Sequence, residues 1–138
     1  MSEETKALVR KAYEDIRSEG RLEVADEIFA TDYVGWDPTA MPPEVHGPEG
    51  FKDQTREYRA AFPDLRFALE SVVAERDRVV VRWTATGTHK GSLSGETPTD
   101  KRVEVSGFGE WRVAGGSIAE HWGCIDLMGL LRQVGALS

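Results

Sequence analysis

The feature of this sequence that most limits its fold is a change of hydrophobic period near residue 63. Before it, apolar residues recur every three or four positions, as in residues 3–18 with Leu8, Val9, Ala12, Tyr13 and Ile16, which predicts an amphipathic helix. After it, apolar and polar residues alternate, as in VVVRWTATGTH from Val79, which predicts strands. The chain is therefore expected to be an α+β protein with helices first and a sheet second.

Three helices are predicted in the first half, over residues 3–18, 22–29 and 48–62. Gly20 follows the first helix, Pro48 suits the first turn of the third, and Pro63 ends it. Residues 33–46, YVGWDPTAMPPEVH, hold three prolines and one glycine, which predicts a short strand followed by an irregular loop.

About four long antiparallel strands are predicted next, in LRFALESVV, VVVRWTATGTH, VEVSGFGEWRV and SIAEHWGCID, with AGGS as the tight turn between the last two. We expect the helices to cover one face of this curved sheet. Gly107, Gly109 and Gly123 lie inside strands, where glycine is weakening unless the sheet bends or a ligand comes close. The end of the chain, 127–135, fits either a short helix or an irregular lid.

Composition narrows the class of protein. A chain of 138 residues, 40% hydrophobic and 30% charged, predicts one globular domain over residues 1–138 without a membrane span. The net charge of -7 argues against binding to nucleic acid or anionic lipid. The polar, acidic N-terminus does not resemble a signal peptide, and a single cysteine cannot form an internal disulfide, so a cytoplasmic protein is expected.

The last hairpin suggests a proton-transfer pair. If Gly115 and Gly116 are the central turn residues, Glu110 lies opposite His121 and shares one face of the sheet with it and with Phe108. Glu110 would then raise the pKa of the imidazole and leave its other nitrogen for a substrate. A one-residue slip in register would undo this pairing. The other face is expected to carry Trp111, Trp122 and Cys124.

Several longer segments carry a family resemblance: VRKAYEDI, LEVADEIFATDYV, FPDLRFALESVVAERDRVVVRWTATGTHKG, PTDKRVEVSGFGEWRVAGGSIAEHW and DLMGLLRQVG. Over residues 7–135 this succession resembles the SnoaL-like polyketide cyclase family. The resemblance implies a cone-shaped α+β barrel, the architecture of ketosteroid isomerase and scytalone dehydratase, and usually a homodimer. It also implies a deep apolar pocket and no metal or organic cofactor.

The same resemblance implies an intramolecular aldol ring closure in which an aspartate is the acid/base group. Family members often read HWD, whereas this chain has Gly123 after His121 and Trp122. Asp126 matches a second acidic position of the family, and Trp36 stands where the family frequently has histidine before the aspartate. Membership therefore supports the fold and the pocket more than cyclase activity.

Candidate site residues follow from these arguments. His121, Glu110 and Asp126 are the candidate catalytic residues, although Asp126 could instead cap the segment after it, and Asp37 could be an alternative carboxylate or simply close a turn. The candidate substrate-binding residues, whose aromatic members could equally be core packing, are Tyr33, Trp36, Asp37, His46, Phe51, Tyr58, Trp83, Phe108 and Trp122. The three histidines show no metal-binding spacing.

Three functions remain open at this point. The leading one is acid/base chemistry without a cofactor, such as ring closure, isomerisation, dehydration or hydration, on a largely apolar molecule that carries a carbonyl. The second is a non-catalytic protein that binds a small ligand and has lost the acid at Gly123. The third is an interaction module whose sheet serves only dimerisation, which predicts a filled pocket.

Overall fold

The computed structural model describes residues 2–40, 42–93 and 95–136. The helices in these ranges are α1 Ser2–Lys11, α2 Ala25–Ile28, α3 Gly47–Ala61 and α4 Leu127–Gln133. The strands are β1 Phe29–Trp36, β2 Glu44–His46, β3 Arg66–Glu75, β4 Arg78–Thr88, β5 Arg102–Ala114 and β6 Ser117–Ile125. A π-helical segment, Ala12–Ser18, continues α1, and a 3₁₀ turn, Leu22–Val24, precedes α2. The α+β fold class is confirmed, and α4 settles the C-terminal segment as a helix.

The strands form one mixed sheet in the order β2-β1-β6-β5-β4-β3. Strand β1 runs parallel to β6, and the other neighbouring pairs are antiparallel. The sheet is curved but unclosed, because β2 and β3 lie at its two ends and do not pair with each other. One face packs against the helices, and the other is left open.

The first predicted helix is confirmed, but its last two turns are π-helical. Tyr13 and Arg17 lie four and eight residues after Val9, so they continue the buried stripe of α1. The guanidinium of Arg59 donates to the carbonyl oxygens of Arg17 at 3.0 Å and Ser18 at 2.8 Å. These hydrogen bonds supply partners for backbone carbonyl groups at the end of the helix. π-Helical segments are frequent at functional sites.

The second predicted helix and the loop after it differ from expectation. Helix α2 ends at Ile28, and Phe29 already begins β1. The Phe29 ring lies 4.5 Å from the centroids of both Tyr33 and Phe51, so this aromatic contact favours the strand over a further helical turn. The expected irregular loop also contains β2, which pairs with β1 through Val34 and His46.

The predicted turn of the last hairpin is right, and the predicted register beyond it is wrong. Gly115 and Gly116 have φ values of 59° and 79°, as a type I′ turn requires. A β-bulge on β6 adds one residue, Ala119, between the pairs Val113 with Ile118 and Arg112 with Glu120.

That extra residue moves every later pair by one position. Glu110 pairs with Trp122, Trp111 pairs with His121, and Phe108 pairs with Cys124. Since side chains alternate along a strand, Glu110 and His121 lie on opposite faces of the sheet. The expected cross-strand Glu110–His121 pair therefore does not exist.

The core lies between the helices and the inner face of the sheet. The largest fully buried apolar side chains come from both layers and are Trp111, Tyr33, Phe51, Ile16, Ile28, Ile118, Val9, Val79 and Val81. Among the described residues, no helix is both long and apolar enough to cross a membrane.

Candidate active site

A cavity of about 470 Å³ opens between α3, the π-helical segment and the inner face of the sheet. This volume is within the range of small-molecule sites. Its apolar lining includes Phe51, Phe62, Leu65, Phe67, Trp83, Val103, Val105, Trp111, Leu130 and Leu131. The polar side chains that reach it include Arg17, Asp37, Thr39, Gln54 and His121. The cavity is thus largely apolar, with a few polar groups at fixed positions.

Strand glycines make room for the side chains at the floor of this cavity. Gly109 and Gly123 are paired across β5 and β6. A Cβ atom on Gly109 would lie 2.6 Å from Tyr13 Oη and 2.9 Å from His121 Nε2. On Gly107 it would lie 2.2 Å from the Trp83 ring. The groups that come close to these glycines are side chains of the cavity wall, whereas the sequence suggested a bend of the sheet or a ligand.

His121 is held against Trp111. The two rings stack at 3.7 Å between centroids with 12° between planes, and Trp111 Nε1 donates to Tyr13 Oη at 3.0 Å. Burial lowers the pKa of His121 to about 3, and the positive charge of Arg17 adds to this shift. The expected rise in the pKa of His121 is wrong, because Glu110 is absent from this face. The imidazole is therefore neutral near pH 7.

Asp37 faces the same space as His121. A Cβ atom on Gly123 would lie 3.0 Å from His121 Nε2 and 3.4 Å from Asp37 Oδ2. Both groups therefore border the position from which the family's usual aspartate side chain would project. Gly123 leaves that position empty of side-chain atoms, and Asp37 brings a carboxylate to it from the end of β1.

Thr39 fixes the Asp37 carboxylate. Asp37 Oδ1 accepts hydrogen bonds from the Thr39 backbone N–H at 2.7 Å and from Thr39 Oγ1. The same hydroxyl accepts from the backbone N–H of Ile125 at 3.1 Å. Oδ1 of Asp37 is thus linked through the Thr39 hydroxyl to the end of β6, and Oδ2 faces the cavity.

Sequence reasoning missed Arg17. This side chain is only 6% exposed, and its Nη2 donates to Gln54 Oε1 at 2.5 Å. Burial lowers the pKa of Arg17, while Tyr58 and other nearby tyrosines oppose this shift, and an arginine remains charged under such conditions. The signal was the helical spacing of Val9, Tyr13 and Arg17, which puts a guanidinium on the buried stripe.

Two of the three candidate catalytic residues lie away from the cavity. Asp126 is exposed and caps α4, accepting from the Gly129 N–H at 2.9 Å, so the capping alternative is confirmed. Glu110 is exposed on the outer face and pairs with Arg78 at 2.9 Å. Neither carboxylate is part of the cavity lining.

The candidate substrate-binding residues divide into two groups. Those that line the cavity are Asp37, Phe51, Tyr58 and Trp83. Trp36 also borders the cavity, but it pairs with Trp122 and its ring centroid lies 6.4 Å from that of Trp122, which places its side chain on the outer face. Tyr33 is buried behind the wall, and His46 is exposed beside Glu44. Trp122 is 49% exposed and Phe108 is 55% exposed; strand alternation places the Phe108 side chain on the outer face, although the residue borders the cavity.

Comparison with known proteins agrees with this architecture. A model of the family described as "SnoaL-like polyketide cyclase" matches residues 7–134. The chain belongs to the SnoaL-like polyketide cyclase family. It is 31% identical over 118 residues to a nogalonic acid methyl ester cyclase of Streptomyces nogalater, covering 84% of this chain and 87% of that protein.

Solved structures are similar along almost the whole chain. AclR from Streptomyces galilaeus, described as "a putative hydroxylase", is 31% identical with a TM-score of 0.84, over 98% of both chains. IdmH from Streptomyces antibioticus is 30% identical with a TM-score of 0.82, over 95% of this chain and 98% of that one. The family relationship supports a small-molecule function of the cyclase or isomerase type.

Proposed function

We propose that this SnoaL-like protein catalyses acid/base chemistry without a cofactor on a largely apolar molecule that carries a carbonyl group. The observation that carries the proposal is the convergence of Asp37 Oδ2 and His121 Nε2 on the space above Gly123. A carboxylate and a neutral imidazole that face one point of an apolar cavity are suited to moving a proton.

Asp37 is the base in this mechanism. Its free Oδ2 removes a proton from the carbon next to the substrate carbonyl, and the resulting enolate attacks a second carbonyl or is reprotonated elsewhere. The protonated Asp37 then returns the proton to the new alkoxide or carbon. Neutral His121 donates a hydrogen bond from one ring nitrogen to the oxygen on which charge develops.

The substrate class follows from the cavity wall and from the relatives. Aromatic and aliphatic side chains dominate the lining, so they favour a flat, apolar ligand. The relative from Streptomyces nogalater is named as a cyclase of nogalonic acid methyl ester. This ester is therefore the first compound to assay, with ring closure as the expected reaction.

Ring closure by an aldol step leaves the mass of the substrate unchanged, so the assay separates isomers by chromatography and follows their absorbance. The proposal predicts that the purified protein converts the ester to an isomeric product without added metal or cofactor. Binding of the ester in the cavity without any conversion would instead support the alternative, a ligand-binding protein that has lost catalysis with Gly123.

Replacing Thr39 by valine should weaken turnover without removing it. Thr39→Val deletes the hydroxyl that orients Asp37 and accepts from Ile125, while the backbone donor to Asp37 remains. We expect kcat to fall about tenfold with little change in KM, since orientation rather than binding is lost.

The matched control is Thr88→Val. Thr88 makes the same type of pair, donating from Oγ1 to Asp64 Oδ2 at 2.8 Å, at the end of β4. Its replacement should lower the melting temperature and leave kcat unchanged. Equal losses of turnover in both variants would mean that general destabilisation, not the position of Asp37, is responsible.

The open face of the sheet supports a second proposal, a homodimer. Four exposed large apolar side chains share this face: Val73, Val80, Phe108 and Trp122. Beside them, Arg78 pairs with Glu110 and Arg112 pairs with Glu120. Charges of both signs on one surface suit a second copy of the same chain related by a two-fold axis, since a cation of one copy can face an anion of the other.

Sedimentation equilibrium tests the dimer. The wild-type protein should sediment with twice the mass of the 15.3 kDa chain, and Trp122→Glu should shift it to the monomer because a charge would be buried at the contact. Met128→Glu is the control, since Met128 is 56% exposed on α4. A wild-type monomer at micromolar concentration would refute the dimer.

A further inference from the structure

The cavity wall holds a buried guanidinium, that of Arg17, with one donor nitrogen unpaired in the described part of the chain. Arg17 Nη1 is buried and has no hydrogen-bond partner within the described residues. Asp37, the carboxylate whose charge acts on Arg17, has one oxygen committed to Thr39. A buried, charged donor left unpaired is costly, so we expect a bound molecule to supply the acceptor.

The surroundings of Arg17 limit the direction from which that acceptor can come. The guanidinium carbon lies 4.2 Å from the centroid of the Phe51 ring and 4.8 Å from that of Tyr58. Nη2 is bound to Gln54. Because aromatic rings lie over the plane of the guanidinium, an acceptor can approach Nη1 only in that plane, from the edge of the group. Arg17 is part of the cavity lining, so such an acceptor can come from a molecule in the cavity.

We propose that Arg17 is an anion-recognition group, and that the ligand presents to it a planar anionic oxygen group, a carboxylate or an ionised 1,3-dicarbonyl. This inference rests on the proposed function, since it assumes that the substrate occupies this cavity. It assigns the substrate class more closely: an apolar ring system with one delocalised negative charge on its oxygens. Planar oxygen pairs match the fork of an arginine.

The other charged groups around the cavity fit this assignment. Neutral His121 adds no second positive charge. Tyr13 and Tyr58 remain protonated, since burial raises the pKa of both. Within the described part of the lining, Arg17 is thus the fixed positive charge, while Asp37 and the exposed Glu57 are the acidic groups. The anion of the ligand is therefore expected at Arg17 rather than beside Asp37 or Glu57.

Calorimetry with two probes that differ in charge tests the assignment in the wild-type protein. At pH 7.5, 2-naphthoate should bind at least tenfold more tightly than 2-naphthamide, which has the same rings and no charge. Equal affinities, or tighter binding of the amide, overturn the proposal. Failure of both probes to bind overturns it as well, and would also count against the cavity as a ligand site.

Variants connect the preference to Arg17. Arg17→Met should abolish the preference for 2-naphthoate, and Arg10→Met, on the exposed side of α1, should preserve it. A preference that survives in a folded Arg17→Met protein overturns the assignment. If Arg17→Met does not fold, the comparison of the two probes in the wild-type protein still tests whether the cavity prefers an anion. Because binding is the readout, this inference and the catalytic role of Asp37 can fail separately.

Discussion

Asp37→Asn should reduce turnover by about a hundredfold to ten-thousandfold, the range that a positioned acid/base group contributes. Asparagine has nearly the shape of aspartate and can keep the hydrogen bonds from Thr39 to its side-chain oxygen. It cannot remove a proton from carbon. The loss should therefore appear in kcat, with KM changed little.

The melting temperature is the control for this variant. Since Asp37 is half-buried with one oxygen toward the cavity, its amide should leave the fold and the affinity for a bound ligand nearly unchanged. A large loss of stability in Asp37→Asn would assign the carboxylate a structural role and remove it from the proton transfer.

The second large effect concerns stability in acid. His121 has a pKa of about 3 in the folded protein and about 6.5 in an unfolded chain. Between these values the unfolded chain binds a proton that the folded protein does not. The contribution of this site is therefore fully present above pH 6.5 and is lost progressively as the pH falls.

The expected size is about 2 kcal/mol of unfolding free energy between pH 6 and pH 4, from a limiting slope of about 1.4 kcal/mol per pH unit. Urea titrations across this range measure it. His121→Gln should have a shallower dependence by that amount. His46→Gln, at an exposed histidine, should follow the wild type; equal slopes for all three proteins would show that His121 titrates normally.

Periodicity was enough to predict the order of helices and strands. The change from a helical to a strand period near residue 63 corresponds to the end of α3 at Ala61 and the start of β3 at Arg66. It could not predict that Phe29 begins β1 instead of extending α2, because that choice depends on the contact of Phe29 with Phe51, which lies on a separate helix, α3.

The site was less predictable than the fold. One bulge residue, Ala119, moved His121 away from Glu110 and onto Trp111, and nothing in the local sequence marks a bulge. The capping role of Asp126 was readable from its place before α4. The roles suggested for Asp37 and Arg17 depend on side chains meeting across the cavity from separate elements.

The most direct test of the central claim compares Asp37→Asn with Asp126→Asn in one assay of nogalonic acid methyl ester. Asparagine is also a good helix cap, so the second variant keeps α4 intact and differs from the first only in which carboxylate is lost. We expect Asp37→Asn to be nearly inactive and Asp126→Asn to turn over like the wild type. Full activity in Asp37→Asn would show that Asp37 is not the base, whatever the activity of Asp126→Asn.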